Sequence, residues 1–500
     1  MSPTEDEASG VGMIGMGAGA STRVDPSAPA SANPAALDAV KEAAGTVGFV
    51  HVLYGDPHGI ARSKALSPEA FVSALEHGVD FSPGPLVFDT GHAIAVGIDD
   101  KAFVRELNGA GDMVVVPDPG TWAVTEHAGR RVGWILGEER LRSGEPHPLS
   151  SRRVLREVVR RAAEHGWAPV VGIELEFYLM HRLTGTYSGT PGGFGVQGVP
   201  EAVAPIDGGY QFNSTRLLEG ALELLDPLWA PLRSLGARLR TVEHESGPGQ
   251  LEITFAPQHA LAAADTVLLL RTWLKSFAAT HGLHVSFMGL PDLPGADPSG
   301  WHLHQCLRGT DGKPVFADDS GNLGPVGEAY VQGLVRRASE FALLSNPTVN
   351  AYHRFAAEHS LSPSRASWAR ENRGALVRVA DGGAPEAAHV ENRIGDPAAN
   401  PYLYMAAQVA SGMDGVIDGL SPAPAAGRPQ EEGAPLPRSL GEAIGAFEAS
   451  TAARSLVGEA LHRALLDLKR SEWNRFIEAE GEFHLGRVSG WEGREYGAEF

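Results

Sequence analysis

The stretch VGIELEFYLM, residues 171–180, constrains this chain more than any other. Val171, Ile173, Leu175, Phe177, Leu179 and Met180 are what a strand buried on both faces is made of. Glu174 and Glu176 interrupt the run, and residues two apart on a strand project from the same face. An unpaired buried carboxylate is costly, and two side by side raise each other's pKa unless a cation lies between them. The fold must either turn this face to water or bring positive charge to it.

Three further stretches repeat the pattern. EHESGPGQLEITF (243–255) sets Glu245 and Glu252 on either side of a Gly-Pro-Gly turn, just before a strand-like run. SGWHLHQCL (299–307) puts His302 and His304 on one strand face, and HVENRIGDPAANPYL (389–403) offers Glu391 and Arg393 two apart. Taken singly, a carboxylate pair reads as a solvated face and a histidine pair as structural. Together they form an oxygen-rich set with an imidazole donor, which suits Mg²⁺ or Mn²⁺ better than zinc. Arg354, Arg370, Arg373, Arg378 and Arg393 supply forked cations suited to phosphate and carboxylate. No G-x-x-x-x-G-K-[ST] loop is present, so phosphate would be held by metals and arginines.

The bulk numbers narrow the classes. Five hundred residues suggest two or three domains, and 43% hydrophobic with 20% charged residues is ordinary for a soluble globular protein. A formal charge of -20 argues against nucleic acid, whose binders carry basic patches. The one cysteine, Cys306, excludes an internal disulfide framework. No apolar run approaches the roughly 18 residues of a membrane span. The acidic opening MSPTEDE is not a signal peptide, so a cytoplasmic location is expected.

Residues 1–37 are rich in Gly, Ala, Ser and Pro and read as a disordered tail. The G-x-G-x-x-G match within it (Gly10, Gly12, Gly15) lacks the strand and helix a dinucleotide site needs. From 38 to about 145 the chain reads as short strands and one helix. Ser67 caps that helix, Pro68 opens it and Gly78 closes it. DMVVVPD (112–118) reads as a buried strand, and RSGEPHPLS (142–150) as an exit linker. The second segment, 146–500, begins with an amphipathic helix carrying Val154, Leu155, Val158, Val159, Ala162 and Ala163, closed by Gly166. ALAAADTVLLLRTWLKSFAATHG reads as a second helix, LHVSFMGLP as a strand, and 421–439 as an exposed Pro/Ala/Gly-rich loop.

The motifs GIELEF, ESGPGQLE, PSGWHLH, NPTVNAYHR, NRGALVR and ENRIGDPAANPYL occur in the order in which the glutamine synthetase family carries its own versions, and the chain resembles that family. The resemblance implies an α+β fold: an N-terminal β-grasp domain (38–145) and a catalytic domain (146–500) on an antiparallel sheet. It implies a homo-dodecamer of two hexameric rings with active sites between subunits. By motif, Glu176, Glu245 and Glu252 would hold one Mg²⁺ or Mn²⁺, and Glu174, His302 and Glu391 a second. Arg354 and Arg393 would grip glutamate with His304 nearby, Arg373 and Arg378 would face the phosphates of ATP, and His389 stands where an ATP-contacting arginine is usual. The implied reaction phosphorylates the γ-carboxylate of glutamate with ATP and lets an amine displace phosphate.

Departures from the family bear on the amine. In RFAAEHSLSPS (354–364), aligning Ser362-Pro363 with the family's Ala-Pro puts Leu361 where the ammonia-using enzymes carry a flap glutamate, with Glu358 out of register. The family's Asp-Gly-Ser-Ser-Ile segment, whose aspartate serves ammonium, is DFSPGPLVFD here, with Asp80 the nearest acid. GDPHGIARSKAL is similar to a segment of the γ-glutamylpolyamine synthetases, with Ser63 in place of a glycine. Pro298 and Leu290 replace a family glycine and lysine. A γ-glutamyl-amine ligase is the leading expectation. A glutamine synthetase using ammonia and a catalytically weak regulatory or scaffolding ring remain alternatives.

Overall fold

The structure, a computed structural model, describes residues 34–99, 103–127, 129–184, 189–190, 192–318, 320–356, 361–380 and 384–500. The Gly10–Gly15 motif and Glu358 lie outside these residues. The first element is the helix Pro34–Ala44, so residues 34–37 belong to a helix rather than to a tail. Val40 and Ala44 on its inner face are buried, and that burial outweighs the weak helix signal of the flanking sequence.

The N-terminal sheet runs in the order Ala61–Leu66, Phe49–Gly55, Arg130–Arg140, Met113–Pro117, Val79–Phe81, with Ala123–His127 also pairing with Arg130–Arg140. Its pairs are antiparallel except Phe49–Gly55 with Arg130–Arg140. The helix Pro68–His77 covers it, with Ser67 Oγ accepting from Ala70 N and Gly78 at φ 74°, as the capping pattern predicts. Asp56 builds the turn between the first two strands. Its carboxylate accepts from His58 N (2.9 Å), Ile60 N (3.0 Å) and Arg62 Nε (2.8 Å), which accounts for the Asp and Arg of the GDPHGIAR segment.

Among the described residues the second sheet has ten strands. Its main path is Trp368–Arg370, Val377–Ala380, His389–Gly395, Trp301–Arg308, Ala168–Arg182, Gln250–Phe255, Leu239–His244. Pairing is antiparallel except between the first two. Ala168–Arg182 lies near the middle of this path. Val171, Ile173, Leu175, Phe177 and Leu179 on one of its faces are almost fully buried, together with the helices Ser151–Glu164 and Ala260–Thr280. The opposite face carries Glu174 and Glu176.

The two sheets are joined through buried polar contacts. Arg271, on the helix Ala260–Thr280, donates to Gly59 O (2.8 Å), Pro397 O (2.8 Å) and Ala399 O (2.9 Å). Asn400 caps the helix Pro401–Ile417 and also donates to Asp56 O and Pro57 O. Gly59 sits at φ 77° with room for no side chain, since a Cβ would lie 2.7 Å from Asn400 Cα. Among the described residues, no helix is long and apolar enough to cross a membrane.

Candidate active site

Strand register assembles the acidic face. Glu174 pairs with His302 on one neighbouring strand, and Glu176 with Glu252 on the other. His304 pairs with Glu391, and Glu391 with Arg378 one strand further out. Directly opposed residues share a face, so these side chains form one array across five adjacent strands. Glu245 joins it from the turn before Gln250, where Glu245 N donates to Gln250 O (2.9 Å).

Contacts within the array are short. His302 Nδ1 lies 2.5 Å from Glu174 Oε1, and His304 Nε2 lies 3.1 Å from Glu174 Oε2. Glu391 is fully buried, held by Arg393 and by Arg378 Nη1 at 2.8 Å. Glu176 Oε2 accepts from Gly300 N (3.0 Å) and Gln250 Nε2 (3.2 Å). Gly300 is needed for this approach, because a Cβ there would lie 2.8 Å from His302 Nε2.

The electrostatics divide the carboxylates into two kinds. Burial opposes ionisation of Glu174 and Glu391, but His302 and His304 beside the first, and His302 and Arg393 beside the second, outweigh it. Glu174 lies well below the usual range and Glu391 at about 2. Burial and then Arg393 push His302 down, against the pull of Glu174. A neutral imidazole is the form that leaves a lone pair for a metal. Glu176, Glu245 and Glu252 rise to about 8, 7 and 10, first by burial and then by neighbouring carboxylates. Such a set ionises together only when a cation arrives. Hard oxygen donors with one or two imidazoles fit a divalent cation of the Mg²⁺ or Mn²⁺ kind.

A cavity of about 300 Å³ opens on this face. Glu174, Glu176, Glu245, Glu252, His302, Arg354, Arg373 and Arg393 line it, together with Phe212, Pro298 and Leu361. His304, Arg378, His389 and Glu391 are not in its wall, although His304 and His389 are 5.0 Å apart between ring centres and border the array. Arg378 places its two terminal nitrogens on Glu391 and, at 2.7 Å, on Glu371. Donor atoms lie within 4.8 Å of one another in the sets Glu174, Glu252, His302 and Glu174, His304, Glu391. Glu174 is common to both, and register rather than spacing along the chain decides this.

Arg354 is buried, donating to Ile394 O (3.0 Å) and Asn346 Oδ1 (3.3 Å), while among the described residues its Nε and that of Arg393 have no partner. Two guanidiniums with unspent donors in one cavity wall invite an anion. Sequence reasoning missed Gln250 and Gly300, whose only signal was their place inside matched motifs, and the segment 207–213, which had none. In that segment Tyr210 (φ 76°) and Asn213 (φ 55°) occupy the left-handed region, each at a cost of about 1–3 kcal/mol. Backbone bonds from Tyr210 N to Ser246 O (2.8 Å) and from Asn213 N to His244 O (2.9 Å) hold the segment against the stretch carrying Glu245.

The chain is similar to several known proteins. Residues 148–488 match the glutamine synthetase catalytic domain. The chain is 37% identical over 472 residues to a gamma-glutamylanilide synthase of Acinetobacter sp, covering 90% of this chain and 92% of that protein. It is 30% identical over 407 residues to a glutamate–isopropylamine ligase of Pseudomonas sp, covering 80% and 85%. A solved GmaS/ADP complex superposes with a TM-score of 0.73 at 25% identity, covering 92% of this chain and 98% of that one. Motifs, fold and relatives converge, and the chain belongs to the glutamine synthetase family.

Proposed function

We propose that this protein is an ATP-dependent ligase joining the γ-carboxylate of glutamate to an organic amine through γ-glutamyl phosphate. The observation that carries the reading is the single cavity in which a carboxylate–imidazole cluster faces three arginines, Arg354, Arg373 and Arg393. A carboxylate lacks a good leaving group, and phosphorylation provides one. Bringing a triphosphate and glutamate together demands concentrated positive charge. Glu174, Glu176, Glu245, Glu252, His302 and Glu391 would hold two or more divalent cations. When bound, Mg²⁺ or Mn²⁺ supplies the charge that offsets the phosphates of ATP.

The chain's own groups orient the reactants. Arg354 and Arg393 hold the carboxylates of glutamate, with His304 beside them, and Arg373 faces the nucleotide. Arg378 fixes Glu391 and borders the ATP side with His389. The amine nitrogen attacks the γ-carbonyl carbon, the C–N bond forms as the C–O bond to phosphate breaks, and one N–H proton passes to the departing phosphate.

Two relatives are named for amines larger than ammonia, and Leu361 lines the cavity where ammonia-using enzymes carry a carboxylate, so an organic amine is favoured. We further propose the β-grasp assignment of 38–145, the catalytic domain of 146–500, the dodecamer of two hexameric rings with sites between subunits, and a cytoplasmic location. Phosphate release with ATP, Mg²⁺, glutamate and a panel of amines tests the activity. Turnover confined to ammonia would replace it with glutamine synthesis, and ATP binding without turnover on any amine would favour a scaffold.

A further inference from the structure

Two of the three proposed substrates are anions, and the arginines and metal ligands of the cavity serve them. Phe212, Leu361 and Pro298 line the same cavity and offer nothing to an anion. Phe212 and Leu361 are also exposed, 57% and 59%, on a protein that buries most of its large apolar side chains. Exposed apolar side chains gathered at a ligand cavity mark a surface that a ligand covers. Phe212 is further held in place by a segment with two strained residues, Tyr210 and Asn213, pinned to the strand end that carries Glu245. Strain kept beside a site is characteristic of pre-organisation for a ligand.

We propose that Phe212 and Leu361 form the acceptor platform and that the amine they select carries an apolar body, a flat ring or a branched alkyl group, with its nitrogen directed toward the carboxylate cluster. This rests on the ligase reading above and adds the acceptor's chemical class and the side chains that recognise it. The phosphates of ATP and the carboxylates of glutamate belong with the arginines and metal ligands of the same cavity, and its apolar wall is assigned to the amine. Covering a phenyl or isopropyl group with these two side chains favours it over a one-carbon amine by about 10- to 100-fold in kcat/KM.

The test measures kcat/KM for aniline, isopropylamine, methylamine and ammonia, each per concentration of unprotonated amine, with glutamate and ATP saturating. Hydroxylamine capture of the activated γ-carboxylate as hydroxamate provides an independent readout of the first half-reaction. Wild type should prefer aniline, isopropylamine or both over methylamine by at least about tenfold. Phe212→Ala and Leu361→Ala should each cut that ratio about tenfold, and Phe212→Leu, which keeps apolar area, should hold it within about threefold. The ratio for aniline against that for isopropylamine separates a ring-selective platform from a branched-alkyl one. The proposal is overturned if methylamine or ammonia is preferred while hydroxamate forms, or if both alanine variants leave the ratio within twofold. An absence of hydroxamate and of ADP with every nucleophile removes the ligase reading itself, and the acceptor platform with it.

Discussion

Cation binding to the metal-free protein should release protons, and the number follows from the site. Glu176, Glu245 and Glu252 stand at about 8, 7 and 10, so at pH 7 the first is mostly protonated, the second half and the third fully. Together they hold about two protons, which a divalent cation must displace to gain its ligands. Calorimetric titration with Mn²⁺ in buffers of different ionisation enthalpy reads that number directly. The linkage also requires apparent affinity to rise by about hundredfold per pH unit near neutrality, the slope that two displaced protons give. Glu252→Gln, which cannot ionise, should lower the count by about one. Stoichiometric binding with release of less than about half a proton would refute the reasoning. It would mean that these carboxylates are already ionised in the free protein and that the array does not depend on a cation.

Other substitutions test separate parts. Glu176→Ala should abolish ATP-dependent phosphate release while size-exclusion chromatography shows an unchanged assembly; an active variant would disprove the ligand assignment. Arg354→Met should raise the KM for glutamate and reduce kcat/KM by about 10²-fold or more, read in the same phosphate assay, because a buried forked donor to the substrate is lost. Arg152, buried between Asp265 (2.8 and 2.9 Å) and Asp118 (3.1 Å), ties the helix Ser151–Glu164 to the helix Ala260–Thr280 and to the residue that follows the strand Met113–Pro117, and Arg152→Met should cost about 3–5 kcal/mol in denaturant unfolding by leaving buried Asp265 without its cation. Glu139, fully buried with Ser150 Oγ at 2.7 Å, is pushed up to about 7 by burial. Its folded pKa exceeds its unfolded one, so its contribution is fully present below about pH 4.5 and is lost as pH rises through 7, a change of roughly 3 kcal/mol. Glu139→Gln should flatten that part of the stability–pH curve.

Much of the fold was legible because local chemistry and tertiary packing agree. Ser67, Pro68 and Gly78 bound their helix as capping rules require, and the three-and-four spacing of Val154, Leu155, Val158, Val159 and Ala162 marks the face that is buried. The start of the first helix at Pro34 was not legible, since the packing of Val40 and Ala44 decides it. Nor was the role of Asp56 and Arg62. As a motif they marked only a similarity to the γ-glutamylpolyamine synthetases, and in the fold they close a turn on each other.

The site was legible in membership and illegible in arrangement, for a physical reason. Two-residue spacing is enough to say that Glu174 and Glu176, or His302 and His304, share a face. It says nothing about which neighbour stands opposite. Pairing His302 with Glu174, and His304 with Glu391, makes Glu174 a member of both compact donor sets. A shift of one residue between Trp301–Arg308 and Ala168–Arg182 would turn both imidazoles to the apolar face and leave Glu174 without its donors. The motif residues therefore carry two demands at once: the glutamates must be ligands, and the apolar residues between them must fix the register that makes them so. Leu175, Ile173 and Leu303, all fully or almost fully buried, meet the second demand. Enlarging the core at Leu175 should thus impair proton-linked cation binding as well as stability, although its side chain points away from every ligand.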